Sequence, residues 1–172
     1  NLPKELPILA IKNTVLFPGV VLPITIGRDK SIKLIKDSLN GDKTIGVVAQ
    51  KDPQNEDPQP SDMFEIGTVA TILRKVQMPD GAITVIIQGK KRIQTKEYIS
   101  TDPYMKAKVA EVPTKQPKKA QKDEFEATIE SLRDISQQIV ELSPNIPSEA
   151  SVALKNIDSP SFLIHFISSN LN

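Results

Sequence analysis

A hydrolytic centre needs a nucleophile within reach of a base, and this sequence offers few parts for one. Its single histidine, His165, falls in the apolar pattern of the last helix. The edge of a packing face explains it better than an isolated metal ligand or base. Cysteine is absent, which removes thiolate ligands, disulfides and a thiol nucleophile together. The phosphate-loop pattern GxxxxGK[ST], the dinucleotide pattern GxGxxG and the zinc pattern HExxH do not occur. Ser31, Ser61, Ser143, Ser148 and Ser159 stand in turn or cap contexts, and none is the central serine of GxSxG. Glu56-Asp57 lacks the glycine turn and ligand spacing of a calcium loop and reads as solvated. Lys90-Lys91-Arg92 beside Gly89 reads as solubilising charge at a hairpin end, since no aromatic platform accompanies it. Lys115, Lys118, Lys119 and Lys122 read as a solvated joint and the first turns of a helix. No catalytic residue, metal site or cofactor is expected in this chain.

The elements that would position a site divide by period. From Leu6 to about Val112, short β-branched runs alternate with Gly and Pro; from Lys118 onward the pattern is helical. Pro113-Thr114-Lys115-Gln116-Pro117-Lys118-Lys119 forms a polar, proline-broken joint. The domains expected are 1–113, a β domain, and 114–172, a linker with a helical subdomain. Strands are expected near Leu6–Ile11, Val20–Ile26, Thr44–Ala49, Gly67–Gln77, Ala82–Gln88, Arg92–Ile99 and Met105–Glu111. Pro79-Asp80-Gly81 makes the stretch from Gly67 to Gln88 a hairpin. Apolar residues on both of its parities imply cover on both faces, as in a small closed barrel.

One helix interrupts the strands, with Asp29 as its N-cap, Ile32, Ile35 and Leu39 on one face, and Asn40-Gly41 as its stop. The stretch from Lys51 to Asp62, twelve polar residues with three prolines, is expected to be a mobile surface loop without strand or helix. Beyond the joint, Phe125, Ile129, Leu132, Ile135, Ile139 and Leu142 mark one face of a helix over 118–142, with Glu126, Glu130, Arg133 and Gln137 facing away. Ser143-Pro144 ends it. Pro147 opens a short helix over about 148–156, and Ser159-Pro160 starts the last one, over about 160–171, carrying Leu163, Phe166, Ile167 and Leu171. The chain reaches Asn172 with no closing cap and so reads as a piece of something longer.

Charged residues make up 25% and apolar residues 38%, an ordinary globular mixture, and the net charge of +1 creates no field toward nucleic acid or an anionic membrane. No apolar run approaches the roughly 18–20 residues of a membrane span, and Asn1–Glu5 has no basic, signal-like opening. Aromatics are only 4%, so packing rests on Ile, Leu and Val.

Three ordered stretches carry a resemblance. The first runs from Leu6-Pro7-Ile8-Leu9 through Phe17-Pro18-Gly19 to Gly27-Arg28 and Ser31-Ile32. The second joins Gly67-Thr68-Val69-Ala70-Thr71-Ile72 to Pro79-Asp80-Gly81 and Gly89-Lys90-Lys91-Arg92. The third is Pro103-Tyr104-Met105-Lys106-Ala107-Lys108-Val109, followed by the helical stretch from Ile157 to Asn172. Together they resemble the N-terminal domain of Lon-type ATP-dependent proteases over almost the whole chain. Ala10 departs from the proline common there, and Ile164-His165 from Ala-Asp.

The resemblance implies an α+β fold, a small PUA-like β-barrel of six or seven strands with one helix, then a helical subdomain leading toward an ATPase. It implies a non-catalytic module for substrate recognition and assembly, serving protein quality control through capture of unfolded, damaged or short-lived proteins. ATP, Mg and a Ser–Lys dyad belong to further domains of such a protease, a cytoplasmic homo-hexamer. Two other readings stand beside it. An RNA-binding PUA-like module conflicts with near-neutral charge and few aromatics. A stand-alone adaptor of the cereblon type needs a zinc-binding partner domain for which this chain has no cysteines.

A receptor for many sequences needs an apolar, adaptable surface. The candidates are apolar residues at turns: Leu16 and Phe17 beside Pro18-Gly19, and Val76, Met78 and Pro79 at the hairpin tip. Methionine adapts its shape to varied partners. Phe17 can equally fill the barrel end. Pro18, Gly19, Gly67, Asp80, Gly81 and Gly89 read as structural turn or close-approach positions.

Overall fold

The structure, a computed structural model, describes residues 2–144, 146 and 149–170. It divides into two compact units, Asn1–Pro113 and Thr114–Asn172.

The first unit holds β1 (Glu5–Ile11), β2 (Val21–Ile26), α1 (Asp29–Leu39), β3 (Thr44–Ala49), β4 (Ile66–Gln77), β5 (Ile83–Ser100) and β6 (Lys106–Glu111). The sheet order is β2-β5-β4-β3-β1-β6, and β6 pairs back onto β5. Five strands therefore close into a ring while β2 hangs on the first half of β5. The α+β fold expected is present, its strands closing into a small barrel-like ring of irregular pairing. The two strands expected at Ala82–Gln88 and Arg92–Ile99 are one strand of 18 residues. Gly89 and the charged triplet look like a turn in sequence, but they form a bulge: Val69 pairs with Lys91 while Ala70 pairs with Gly89. Lys90-Lys91-Arg92 thus lies in mid-strand, where Lys91 pairs with Glu111 at 2.9 Å, and not at a hairpin end.

The sheet carries apolar side chains on both faces because β1 and β3 bury both parities. Leu9, Ile11, Ile45, Val47, Ile72 and Val85 pack with Leu34 and Ile35 of α1 in one core. Leu6, Ile8, Val48, Val69 and Ile93 form a second around Met63. Cover on both faces fails along the outer half of the β4–β5 hairpin. A bulge between Ile72 and Arg74 shifts the register, and the strand is exposed from Leu73 to Gln77.

Helix α1 begins at Asp29 with Arg28 as N-cap and no side-chain cap bond, so Asp29 does not cap it. Its charge at the helix start remains favourable to the dipole. The Lys51–Asp62 stretch also departs from expectation, because a 3-10 turn at Pro60–Asp62 sits in it and side chains fasten it down. Gln50, 4% exposed, donates to the carbonyls of Asp52 (2.6 Å) and Asn55 (2.9 Å) and accepts from Arg28 at 3.0 Å. Asn55 donates to the Asp62 carboxylate at 3.0 Å, which also accepts the Gln59 N–H at 2.8 Å. Prolines exclude strand pairing here without excluding a fixed path.

The second unit holds α2 (Lys122–Leu142), α3 (Glu149–Lys155) and α4 (Pro160–Ser169), with a 3-10 turn at Lys119–Gln121 before α2. Ile129, Leu154, Ile157 and Leu163 make its core, with Phe125, Val140 and Phe166 against them. Ile135, Ile139 and Leu142 are exposed, contrary to the single apolar face expected. Arg133 and Gln137 turn inward instead: Arg133 donates to the Leu154 carbonyl at 2.6 Å, and Gln137 bonds Ser151. The apolar residues of α2 cover more of its circumference than α3 and α4 do. Ser159 caps α4 by accepting from the Phe162 N–H at 3.3 Å. Pro147, Ser148, Leu171 and Asn172 lie outside the described residues.

Candidate binding surface

The Phe17–Val20 segment is a turn dictated by its residues. Proline presets φ at the second position, and Gly19 supplies φ +82° at the third, the signature of a type II turn. The Val20 N–H closes it on the Phe17 carbonyl at 3.2 Å. Gly19 N–H then bonds the Gly89 carbonyl, and Gly89 N–H the Val20 carbonyl, each at 2.9 Å. Two residues oppose one, a glycine bulge that docks the turn on β5. Gly89 must lack a side chain, because a Cβ there would meet the Phe17 carbonyl oxygen at 2.3 Å. Gly67 is equally confined, with the Val47 carbonyl 2.5 Å from a Cβ. The Thr68 hydroxyl donates to the Leu16 carbonyl at 2.7 Å beneath the turn.

This docking buries Leu16, which is 3% exposed and belongs to the larger core. Leu16 is therefore chiefly a packing residue, with little area left for an open surface. Its place at a turn suggested exposure, but the turn folds over the barrel end and drives it inward. Phe17 and Pro18 stay half-buried and Gly19 is exposed. Beside them lies an open hollow of about 540 Å³, bounded by Val15, Phe17 and Pro18 on one side and Phe64, Ile66 and Thr68 on the other. Val15 is 55% and Phe64 51% exposed, with Ile66 close behind. Lys51, Glu65 and Arg92 also line it.

Val15, Phe64 and Ile66 are absent from the turn-based candidates. No local period marks them, because Phe64 and Glu65 precede β4 and Phe64, Glu65 and Ile66 are all exposed.

The hairpin tip is a separate place. Gly81 N–H bonds the Met78 carbonyl at 3.1 Å, Met78 N–H bonds the Ala82 carbonyl at 2.9 Å, and Gly81 has φ +89°. That is a three-residue hairpin loop ending in a glycine bulge. Asp80 tightens it by accepting the Ala82 N–H at 3.0 Å. Val76, Met78 and Pro79 are exposed here. Ala82 precedes β5 and Gly89 lies seven residues further along the extended chain, so the tip lies roughly 20 Å from the Phe17 turn at about 3.3 Å per residue.

Neither place holds catalytic machinery. Among the described residues no three His, Asp or Glu side chains gather as a metal site, and no helix is long and apolar enough to cross a membrane. The lowered carboxyls lie elsewhere and face solvent: Lys12 lowers Glu56 through a hydrogen bond and its charge, and Lys108 does the same to Glu97. Burial raises the Tyr104 phenol, aided by its bond to Asp37, so it stays protonated as a packing group. What the hollow can do is bury apolar side chains.

Residues 5–172 match the family model described as the ATP-dependent protease La (LON) substrate-binding domain. The chain is 56% identical over 172 residues to the Lon protease of Flavobacterium johnsoniae, covering 100% of this chain and 21% of that one. It is 48% identical to the Lon protease of Cytophaga hutchinsonii, over 99% of this chain and 21% of the relative. The chain thus spans about a fifth of the length of these relatives. A solved structure, the N-terminal domain of a Mycobacterium avium complex Lon protease, shares the fold with TM-score 0.74 at 21% identity, over 98% of this chain and 85% of that one. With the family model covering nearly every residue, this chain belongs to the Lon substrate-binding domain family.

Proposed function

We propose that this domain captures unfolded or damaged polypeptides for an ATP-dependent serine endopeptidase, taking their apolar side chains into the hollow beside Phe17. The observation that carries this reading is the exposure of Val15, Phe64 and Ile66 around a concave wall that neither core fills. Burying one large apolar side chain yields about 1.5–3 kcal/mol, while even millimolar affinity needs about 4 kcal/mol. A single side chain in the hollow therefore binds weakly, and capture requires several contacts. The hairpin tip, with Val76, Met78 and Pro79, is the second contact in this reading. Weak, distributed binding suits a receptor that must release its substrate to a motor. The ATP and Mg sites, the peptidase, the homo-hexameric assembly and a cytoplasmic role in protein quality control belong to the longer protein.

The test is an NMR titration of the chain with a reduced, permanently unfolded protein. Signals of Val15, Phe64 and Ile66 should shift, and the double variant Phe64→Ser, Ile66→Ser should weaken binding by about tenfold, the equivalent of about 1.4 kcal/mol. Unchanged affinity in that variant would remove the hollow from the reading.

A further inference from the structure

Strand β2 stands at the end of the sheet, outside the ring, and pairs only with β5, so its other edge carries no ladder among the described residues. The bond from Gly89 N–H to the Val20 carbonyl sets its alternation, so the peptide groups of Leu22, Ile24 and Ile26 face β5. Those of Val21, Pro23 and Thr25 face away. Pro23 fits this assignment, because a proline inside a sheet is tolerated where its missing N–H would have pointed off the ladder. The free edge consequently offers two donors, Val21 and Thr25, and three carbonyls.

The edge also borders a groove of about 490 Å³, with Ile24–Ile26 on one wall and Leu9–Ile11 of β1 on the other. Across it, Ile8 N–H bonds Met105 on the β6 side, and the Ile11 carbonyl accepts from Gln50 beyond β3. Alternation places the Ala10 peptide on the β6 side, past the last β1–β6 pair at Pro7. Ala10 therefore presents a further donor and acceptor to the groove. Val21 is 50% exposed, and Leu22 and Ile24 are only half covered although they pack on the core.

We infer that an extended segment of an unfolded polypeptide adds to the free edge of β2, held chiefly by main-chain hydrogen bonds. The inference rests on the capture reading and specifies its mode. Unfolded chains of unrelated sequence share their backbone before anything else, so an edge that reads peptide groups accepts them without a motif. Pro23 interrupts the ladder, which limits the number of bonds and guards against edge-to-edge aggregation of folded chains.

The probe is a short fluorescein-labelled peptide of alternating valine and threonine with lysines at its ends, compared with the same peptide N-methylated at alternate residues. The unmodified peptide should bind. The methylated one, with identical side chains, should bind at least about tenfold more weakly, because two or more hydrogen bonds of roughly 1 kcal/mol are lost. Thr25→Pro removes one edge donor and, with it, the hydroxyl contact to Thr84 of β5 at 3.2 Å. Thr25→Val loses the same contact but keeps the donor, so Thr25→Pro should bind the unmodified peptide more weakly than Thr25→Val does. Equal affinity of the two peptides overturns the inference whether or not that variant folds. If an unfolded protein still binds at the hollow in that case, the capture reading survives alone; if nothing binds, both fail. Self-association that Thr25→Pro abolishes would assign the edge to a second copy and likewise overturn the proposal.

Discussion

Phe17-Pro18-Gly19 and Pro79-Asp80-Gly81 use nearly the same residues, and each ends in a glycine at positive φ that forms a bulge against its partner strand. Their surroundings are opposite. The first turn is folded onto the barrel end, with Leu16 buried beneath it and Gly89 pressed against its carbonyl. The second projects beyond the ring, and a Cβ on Gly81 would meet nothing within 4 Å. The comparison separates two demands on glycine. At Gly89 the demand is space; at Gly81 it is backbone conformation alone. It also separates two kinds of apolar turn residue, since Leu16 belongs to the core and Met78 to the surface.

Gly89→Ala tests the contrast most severely. The added methyl would sit 2.3 Å from the Phe17 carbonyl oxygen, an atom held by backbone on both sides. Relief requires moving the turn off β5, so destabilisation of about 3 kcal/mol is expected, the upper range for overpacking. Urea unfolding measures it. A loss below about 1 kcal/mol would mean that the turn is loosely docked and the two regions are alike after all.

Thr68→Val comes next. It keeps the shape and deletes the hydroxyl that donates to Leu16 at 2.7 Å, leaving a buried carbonyl without that partner. A cost of about 1–2 kcal/mol follows. Thr68→Ser should recover most of it, because the donor returns even though a methyl is lost. If serine and valine cost the same, packing of the methyl matters more than the bond.

Both turns were legible in sequence, as was the division between strands and helices, because proline and glycine fix local backbone angles and apolar period marks elements. Two things were hidden. Gly89-Lys90-Lys91 has the composition of a turn, yet β5 runs through it, since only the pairing with β4 reveals a bulge. The direction of Leu16 depends on where its turn docks, a long-range fact that no local pattern carries. Likewise Phe64 and Ile66 become a surface only through their placement opposite Phe17. On α2, six apolar positions read as one face, and the number of helices available to cover them decided which stayed buried.

Gly81→Ala probes the other side of the comparison. A left-handed conformation costs a residue with a Cβ about 1 kcal/mol, and the open surroundings add nothing to it. Asparagine, which tolerates this region better, should lose less than alanine. The ordering Gly89→Ala, then Gly81→Ala, then Gly81→Asn is the comparison in measurable form. It fails if Gly81→Ala approaches the cost at Gly89.

The smallest effect on stability belongs to Met78→Ser with Val76→Thr. Both side chains are exposed at the tip, so their replacement should change unfolding by less than about 0.5 kcal/mol. That near-neutrality is what makes the pair informative. A change in unfolded-protein binding can then be assigned to lost contact and not to lost fold. If the tip is a second contact, affinity for a long unfolded chain should fall by several-fold while affinity for a short peptide at the hollow is unchanged, because only a long chain spans the roughly 20 Å between them. Equal losses for long and short ligands would place both effects at one site. No loss for either would confine recognition to the docked turn and its neighbours, leaving the free turn as a hairpin end and nothing more.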